Sequence, residues 1–276
     1  MKQTVLSAAR GLALGHRVRG AGKAVAADRQ RQTADRRPPT ADWRLPTAGR
    51  RRVFFFDLDN TLHDASHAIF NTIDARMTDY VVRHLEVDVP AANQLRLTYW
   101  RRYGATMLGL LRHHAVDPHH FLRETHDFDV TDLLRAERGL ERLFSHLRGR
   151  KVLLTNAPDN YAAAVLRALD LHRKMGARYA IEHMRVFGEF RPKPSVSMLR
   201  HLLAREKLAG RHNAGRAVLI EDSPINLKAA RAAGFRTVLV TRHWPGGFGG
   251  RRARPQFVDL RLRSVRDLPR ALRFMR

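Results

Sequence analysis

Val53-Phe54-Phe55-Phe56 is an unbroken apolar run that leads directly into Asp57. A short run of this kind, rich in β-formers, predicts a strand buried on both faces. Lys151 to Thr155, Ala217 to Glu221 and Thr237 to Thr241 repeat the theme. The stretches between them, Asp159 to Leu169, Pro194 to Lys207 and Pro224 to Ala233, carry helical apolar spacing, and Gly234 closes the last. Strands alternating with helices imply right-handed βαβ units and a parallel sheet covered on both sides. The fold class predicted is α/β, with a Rossmann-like doubly wound parallel sheet.

About 90 residues separate the first strand from the second, too many for an ordinary loop. From His67 to His126 the pattern is helical, with Ile69, Ile73, Met77, Val81 and Leu85 on one period and no comparable strand. An α-helical cap inserted after the first strand is the simplest organisation. It predicts a cap over 65–136 and a discontinuous α/β core formed by 51–64 and 137–276. Residues 1–50 are rich in Ala, Arg, Gly and Pro without a sustained apolar period, and read as a disordered basic extension. The absence of acidic residues from 1–27 also gives that segment the look of a transit peptide.

Composition narrows the chemistry. The 276 residues contain no cysteine, which removes disulfides, zinc-thiolate sites, Fe–S clusters and thiol nucleophiles, and fits a cytoplasmic setting. No apolar run is long enough to span a bilayer, so no membrane partner is expected. The formal charge of +25 is concentrated at the ends: residues 1–52 carry +10 and residues 251–276 carry +7. A nucleic-acid-binding protein using those ends is therefore a competing reading from another class. The ends offer only Trp43, Phe257 and Phe274 as bases' stacking partners, which counts against it.

Polar residues stand where the strands end: Asp57-Leu58-Asp59-Asn60-Thr61 after the first, Thr155-Asn156 after the second, Glu221-Asp222 after the third. Lys193 stands between Pro192 and Pro194, ahead of a helix. Open parallel sheets bind ligands beyond the carboxyl ends of their strands. Two carboxylates spaced at i and i+2 after a buried strand repel one another, and a hard divalent cation, Mg²⁺, relieves that repulsion. Asp57 and Asp222 are the predicted side-chain ligands, with the Asp59 backbone carbonyl as a third. The His113-His114 and His119-His120 pairs are not expected to bind metal, because adjacent side chains diverge on a helix. Gly246-Gly247-Phe248-Gly249-Gly250 lacks the frame of a phosphate-binding loop and reads as a flexible loop.

Asp57-Leu58-Asp59-Asn60-Thr61-Leu62, Leu154-Thr155-Asn156, Lys193 and Glu221-Asp222-Ser223, in that order, resemble the four motifs of the haloacid-dehalogenase-like (HAD) superfamily. The resemblance covers roughly residues 52–245. It implies a phosphoric monoester hydrolase in which Asp57 attacks phosphorus and Asp59 is the general acid/base. Thr155, Asn156 and Lys193 would bind the phosphoryl group, with Mg²⁺ as cofactor. Asp59 disfavours carbon–halogen cleavage, since that branch lacks the second aspartate. Another small phosphometabolite as substrate, or phosphomutase chemistry, remains an alternative. Leu62-His63 and Tyr99-Trp100-Arg101-Arg102-Tyr103 resemble the pyrimidine 5′-nucleotidase branch. That likeness implies nucleoside 5′-monophosphates as small-molecule substrates, with His63, Trp100 and Tyr103 on the substrate. The sequence sets no oligomeric state.

Overall fold

The structure is a computed structural model that describes residues 52–210, 213, 215–243 and 255–273. The expected basic extension over 1–50 and the glycine-rich loop at 246–250 lie outside the described residues. In chain order the elements begin with β1 (Val53–Phe56), followed by α1 (Ile69–Leu85), α2 (Val89–Tyr103), α3 (Thr106–His114), α4 (Pro118–His126) and α5 (Leu140–His146). Then come β2 (Arg150–Leu154), α6 (Asp159–Ala168), β3 (Ala177–Tyr179), β4 (Arg185–Val186), β5 (Glu189–Phe190) and α7 (Val196–Arg205). The chain continues through β6 (Ala217–Glu221), α8 (Pro224–Ala233), β7 (Arg236–Val240), β8 (Leu260–Leu262) and α9 (Leu268–Arg273).

Six strands form one parallel sheet in the order β3-β2-β1-β6-β7-β8. Val53 lies opposite Arg150 of β2 and opposite Ala217 of β6, so β1 is central. The chain winds outward from β1 through β2 and β3, then returns to β6 on its other side. The direction of winding therefore reverses between β1 and β6, where such sheets leave a crevice. The α/β, Rossmann-like doubly wound class is what the sequence predicts, with two strands more than it marks. Residues 177–179 and 260–262 are too short and too weakly apolar to stand out beside the four central runs.

Each face of β1 feeds a different core. Phe54 and Phe56 pack with Phe144, Leu153, Val165, Val218 and Ile220 on one side. Val53 and Phe55 pack with Leu154, Leu199, Leu219, Leu227 and Phe235 on the other. The three phenylalanines are at most 1 % exposed, and burial of each side chain is worth roughly 1.5–3 kcal/mol. Aromatic edges lock both sides: Phe56 meets Phe144 at 4.7 Å between centroids, and Phe55 meets Phe235 edge-on at 5.2 Å.

Helices α1 to α4 take up most of the interval between β1 and β2, ahead of α5. Local chemistry starts them: Asp88 caps α2 by accepting from the Ala91 amide at 2.8 Å, and Asp117 caps α4 by accepting from His119 at 2.9 Å. Proline occupies the first turn of both helices. Tyr80, Val81, Tyr99, Met107, Leu110 and Phe121 give this insert its own core, which also takes in Ile181 and Phe190 from the segment after β3. The two histidine pairs serve the packing. His113 and His114 each lie 2.6 Å from a different tyrosine hydroxyl of α2, Tyr103 and Tyr99, while His120 meets the Tyr80 hydroxyl at 3.0 Å.

Candidate active site

Asp57 extends β1 by one residue, its amide donating to the Ile220 carbonyl at 2.9 Å. The chain then turns tightly, with Thr61 and Leu62 both donating to the Leu58 carbonyl and Asn60 in the left-handed region at φ 57°. An asparagine tolerates that conformation, and its Oδ1 accepts from the Ser66 amide at 3.1 Å. Leu58 and Leu62 point into the core and are essentially unexposed, which leaves Asp57 and Asp59 on the opposite side at the sheet's rim.

Lys193 crosses this rim from the loop before α7. Its Nζ donates to Asp57 Oδ1 at 2.6 Å and to Glu221 Oε2 at 2.7 Å, and all three side chains are buried. Oxygen atoms of Asp57, Glu221 and Asp222 lie within 4.8 Å of one another, the one such group of three potential ligands among the described residues. One ammonium cannot balance three carboxylates. Burial, then the charge of Glu221, push Asp57 upward against the pull of Lys193. Burial, then the charge of Asp57, push Asp222 up to about 6. Burial lowers Lys193, but the two carboxylates more than offset it and hold the ammonium charged well above its usual range. A divalent cation would remove the surplus negative charge, so the donor set fits a hard ion such as Mg²⁺.

Thr155 and Asn156 follow β2. The Thr155 hydroxyl accepts from the Ala157 amide at 3.0 Å, which leaves its own hydrogen to donate. Asn156 does something the sequence does not advertise. Its Oδ1 accepts from the Lys193 amide and its Nδ2 donates to the Lys193 carbonyl, both at 2.9 Å. The amide thereby clamps the backbone that carries Lys193, using one of its two Nδ2 hydrogens.

Asp59 stands beside the cluster with a separate set of partners. The Tyr161 hydroxyl donates to its Oδ1 at 2.7 Å, and His63 Nε2 lies 3.0 Å from the same oxygen. Burial would raise Asp59, but these bonds outweigh it and hold the carboxyl below its usual range. His63 is wholly buried, with its ring against Asp59. Next to Tyr161 lies His126, its ring 5.8 Å away; burial depresses it to about 4. Sequence reading missed Tyr161, and quoted Glu221 within its motif without giving it a role. For Tyr161 the available signal is its place in the first turn after the Thr155-Asn156 motif; for Glu221, its adjacency to Asp222.

A cavity of about 740 Å³ lies between the insert and the β4–β5 hairpin, lined by Arg102, Tyr103, Arg112, Arg185, Phe190 and Arg191 among others, and reaching Lys193. Tyr103 takes the guanidiniums of Arg102 and Arg112 at 5.4 Å each from its ring centroid, and Arg185 covers Phe190 at 3.8 Å. Trp100 is 59 % exposed and does not line the cavity.

This arrangement of fold and rim has counterparts among known proteins. The structure is similar to the HAD phosphatase from Thermococcus onnurineus, with a TM-score of 0.53 and 16 % identity over 80 % of this chain and 97 % of that one. It is also similar to YfnB from Bacillus subtilis, described as a HAD hydrolase and solved bound to magnesium, with a TM-score of 0.51 and 16 % identity over 81 % of this chain and 99 % of that one. At such identities the likeness concerns the fold. Phosphate metabolism protein 8 of Saccharomyces cerevisiae is 24 % identical over 201 residues, which span 68 % of this chain and 61 % of the yeast protein. The sequence model of the haloacid dehalogenase-like hydrolases matches residues 51–234, which takes in every strand-end motif from Asp57 to Asp222, and the chain belongs to that family.

Proposed function

We propose that the chain is a Mg²⁺-dependent phosphatase that hydrolyses small phosphate monoesters through an aspartyl phosphate on Asp57. The observation that carries this reading is the buried Lys193 ammonium, bonded to both Asp57 and Glu221 with Asp222 beside them, at the carboxyl ends of β1 and β6. Asp57 and Asp222 would hold the cation, together with the Asp59 carbonyl, and the bound ion would offset charge on the phosphoryl oxygens. Asp57 attacks phosphorus as the ester oxygen departs with a proton from Asp59. Asp59 then takes a proton from the water that hydrolyses the intermediate. Lys193 neutralises charge on the transferring group, and the Thr155 hydroxyl donates to it. Asn156 acts by fixing Lys193.

Nucleoside 5′-monophosphates, pyrimidines preferred, are the substrates this reading favours. The cationic, aromatic-lined cavity reaching Lys193 supports an anionic ligand with a planar part, which would meet guanidinium planes as well as the rim of Tyr103. The described residues include no helix long and apolar enough to cross a membrane. A cytoplasmic setting, with a soluble metabolite as substrate, fits the absence of cysteine.

Asp57→Asn tests the mechanism. The variant should stay folded and lose nearly all turnover of UMP, and its acid-quenched form should retain no labelled phosphate. Activity within tenfold of wild type would sink the covalent route. A ranking of kcat/KM in which hexose phosphates exceed UMP and CMP would reject the nucleotide preference and leave the phosphatase reading standing.

A further inference from the structure

Asp59 is gripped on one oxygen from two sides. Tyr161, only 1 % exposed, donates its hydroxyl hydrogen to Oδ1, and the fully buried His63 presents Nε2 to the same atom. Among the described residues no side chain hydrogen-bonds the other oxygen, Oδ2, while the Asp59 side chain keeps 19 % of its exposure. His63 Nδ1 is buried without a hydrogen-bond partner. Leaving such an atom unpaired costs about 1–3 kcal/mol, and among the described residues the one polar contact that the ring makes in return is with Asp59.

Both anchors come from rigid positions. His63 is four residues beyond Asp59 in the turn after β1, and an isolated bridge ties it to Ala136. Tyr161 sits in the first turn of α6, its ring held edge-on by His126 at 5.8 Å and tilted against Phe128 at 6.2 Å. Neither ring can follow Asp59 if the carboxyl rotates. A carboxyl with one oxygen saturated by two fixed donors can exchange a proton only through the other.

We propose that Tyr161 and His63 are positioning residues that hold Asp59 so that Oδ2 alone serves as acid and then as base. The inference rests on the phosphatase reading above. In the first step an Asp57 oxygen bonds to phosphorus, the bond from phosphorus to the ester oxygen breaks, and that oxygen takes the proton from Oδ2. In the second, water bonds to phosphorus, returns a proton to Oδ2, and the Asp57–phosphorus bond breaks to release inorganic phosphate. Alignment matters most where the leaving group needs that proton.

The test compares kcat/KM for UMP and for p-nitrophenyl phosphate, with the full-length protein and Mg²⁺. This parameter covers events up to departure of the leaving group and is blind to hydrolysis of the intermediate. Nitrophenolate departs without a proton, whereas the nucleoside alkoxide does not. Tyr161→Phe should therefore lose on the order of 10- to 100-fold on UMP, part of the 10²–10⁴ a general acid supplies, and less than about threefold on the aryl ester. His63→Gln, which keeps an N–H donor, should retain more UMP activity than His63→Leu at equal aryl-ester activity. An equal loss on both esters, no loss on either, or a glutamine no better than leucine overturns the proposal. Should Tyr161→Phe fail to fold in a thermal melt, the two His63 variants decide it. A wild type inert on both esters brings down the phosphatase reading itself, an outcome distinct from an active enzyme whose substrate ratio does not move.

Discussion

Replacing Lys193 by methionine removes the ammonium that bonds Asp57 and Glu221 while keeping most of its aliphatic volume. Side-chain exposure at the three positions is 2 %, 9 % and 1 %, so solvent screens the loss poorly. Removing one partner of a buried ion pair typically costs about 3–5 kcal/mol. For a folded unit of this size, 1 kcal/mol moves Tm by roughly 2–4 °C, which predicts a drop of roughly 6–20 °C in chelator at pH 8. The carboxylates can escape the penalty by taking up protons. Burial first of all pushes Glu221 up to about 7, and Asp57 is likewise raised above the value of about 4 it has when unfolded. Between those limits the folded chain binds protons that the unfolded chain has released, so stability without metal falls as pH rises from about 4 to 8. Lys193→Met should steepen that fall, and the deficit relative to wild type should be smaller at pH 5.5 than at pH 8. Urea unfolding of both proteins in chelator at the two pH values provides the measurement. A loss below 1 kcal/mol at pH 8, or an equal loss at both, would refute the view that Lys193 is the counter-charge for this cluster.

Two further outcomes follow from separate parts of the molecule. Mg²⁺ should raise the Tm of the wild type and restore turnover after chelation, Ca²⁺ should do so poorly because its looser coordination misplaces the nucleophile, and Asp222→Ala should raise the Mg²⁺ needed; full turnover in excess chelator would contradict this. Gly109→Ala should destabilise the helical insert by about 1–2 kcal/mol, because its Cβ would overlap the Tyr99 ring and the cost of overpacking exceeds the roughly 1 kcal/mol that alanine gains in a helix. Hydrogen exchange in α2 and α3 would report it, and protection equal to wild type would exclude the clash.

The sequence by itself determined the central sheet and where along it the candidate site residues stand. The apolar run at 53–56 is buried on both faces, β6 and α8 occupy the predicted 217–221 and 224–233, and Asp57, Thr155, Lys193 and Asp222 stand at the ends of elements where the periodicity puts them. These features are legible because burial on two faces and helical spacing are local properties of the chain. Tertiary structure decided what each polar side chain is paired with. Asn156 lies 37 residues from Lys193 and Tyr161 lies 102 from Asp59, and neither partnership has a local signature. Nearness to Asp57 in the chain is what suggests His63 for a substrate contact, and the fold buries its ring with Nε2 on Asp59. Trp100 and Tyr103 share one helix and one aromatic character, but only the packing of α2 against α3 sends Tyr103 to the cavity and leaves Trp100 in solvent. Hydrophobic pattern fixes which face of an element is buried; which polar groups then meet depends on how separate elements come together, because a buried donor or acceptor must find its partner wherever the fold supplies one.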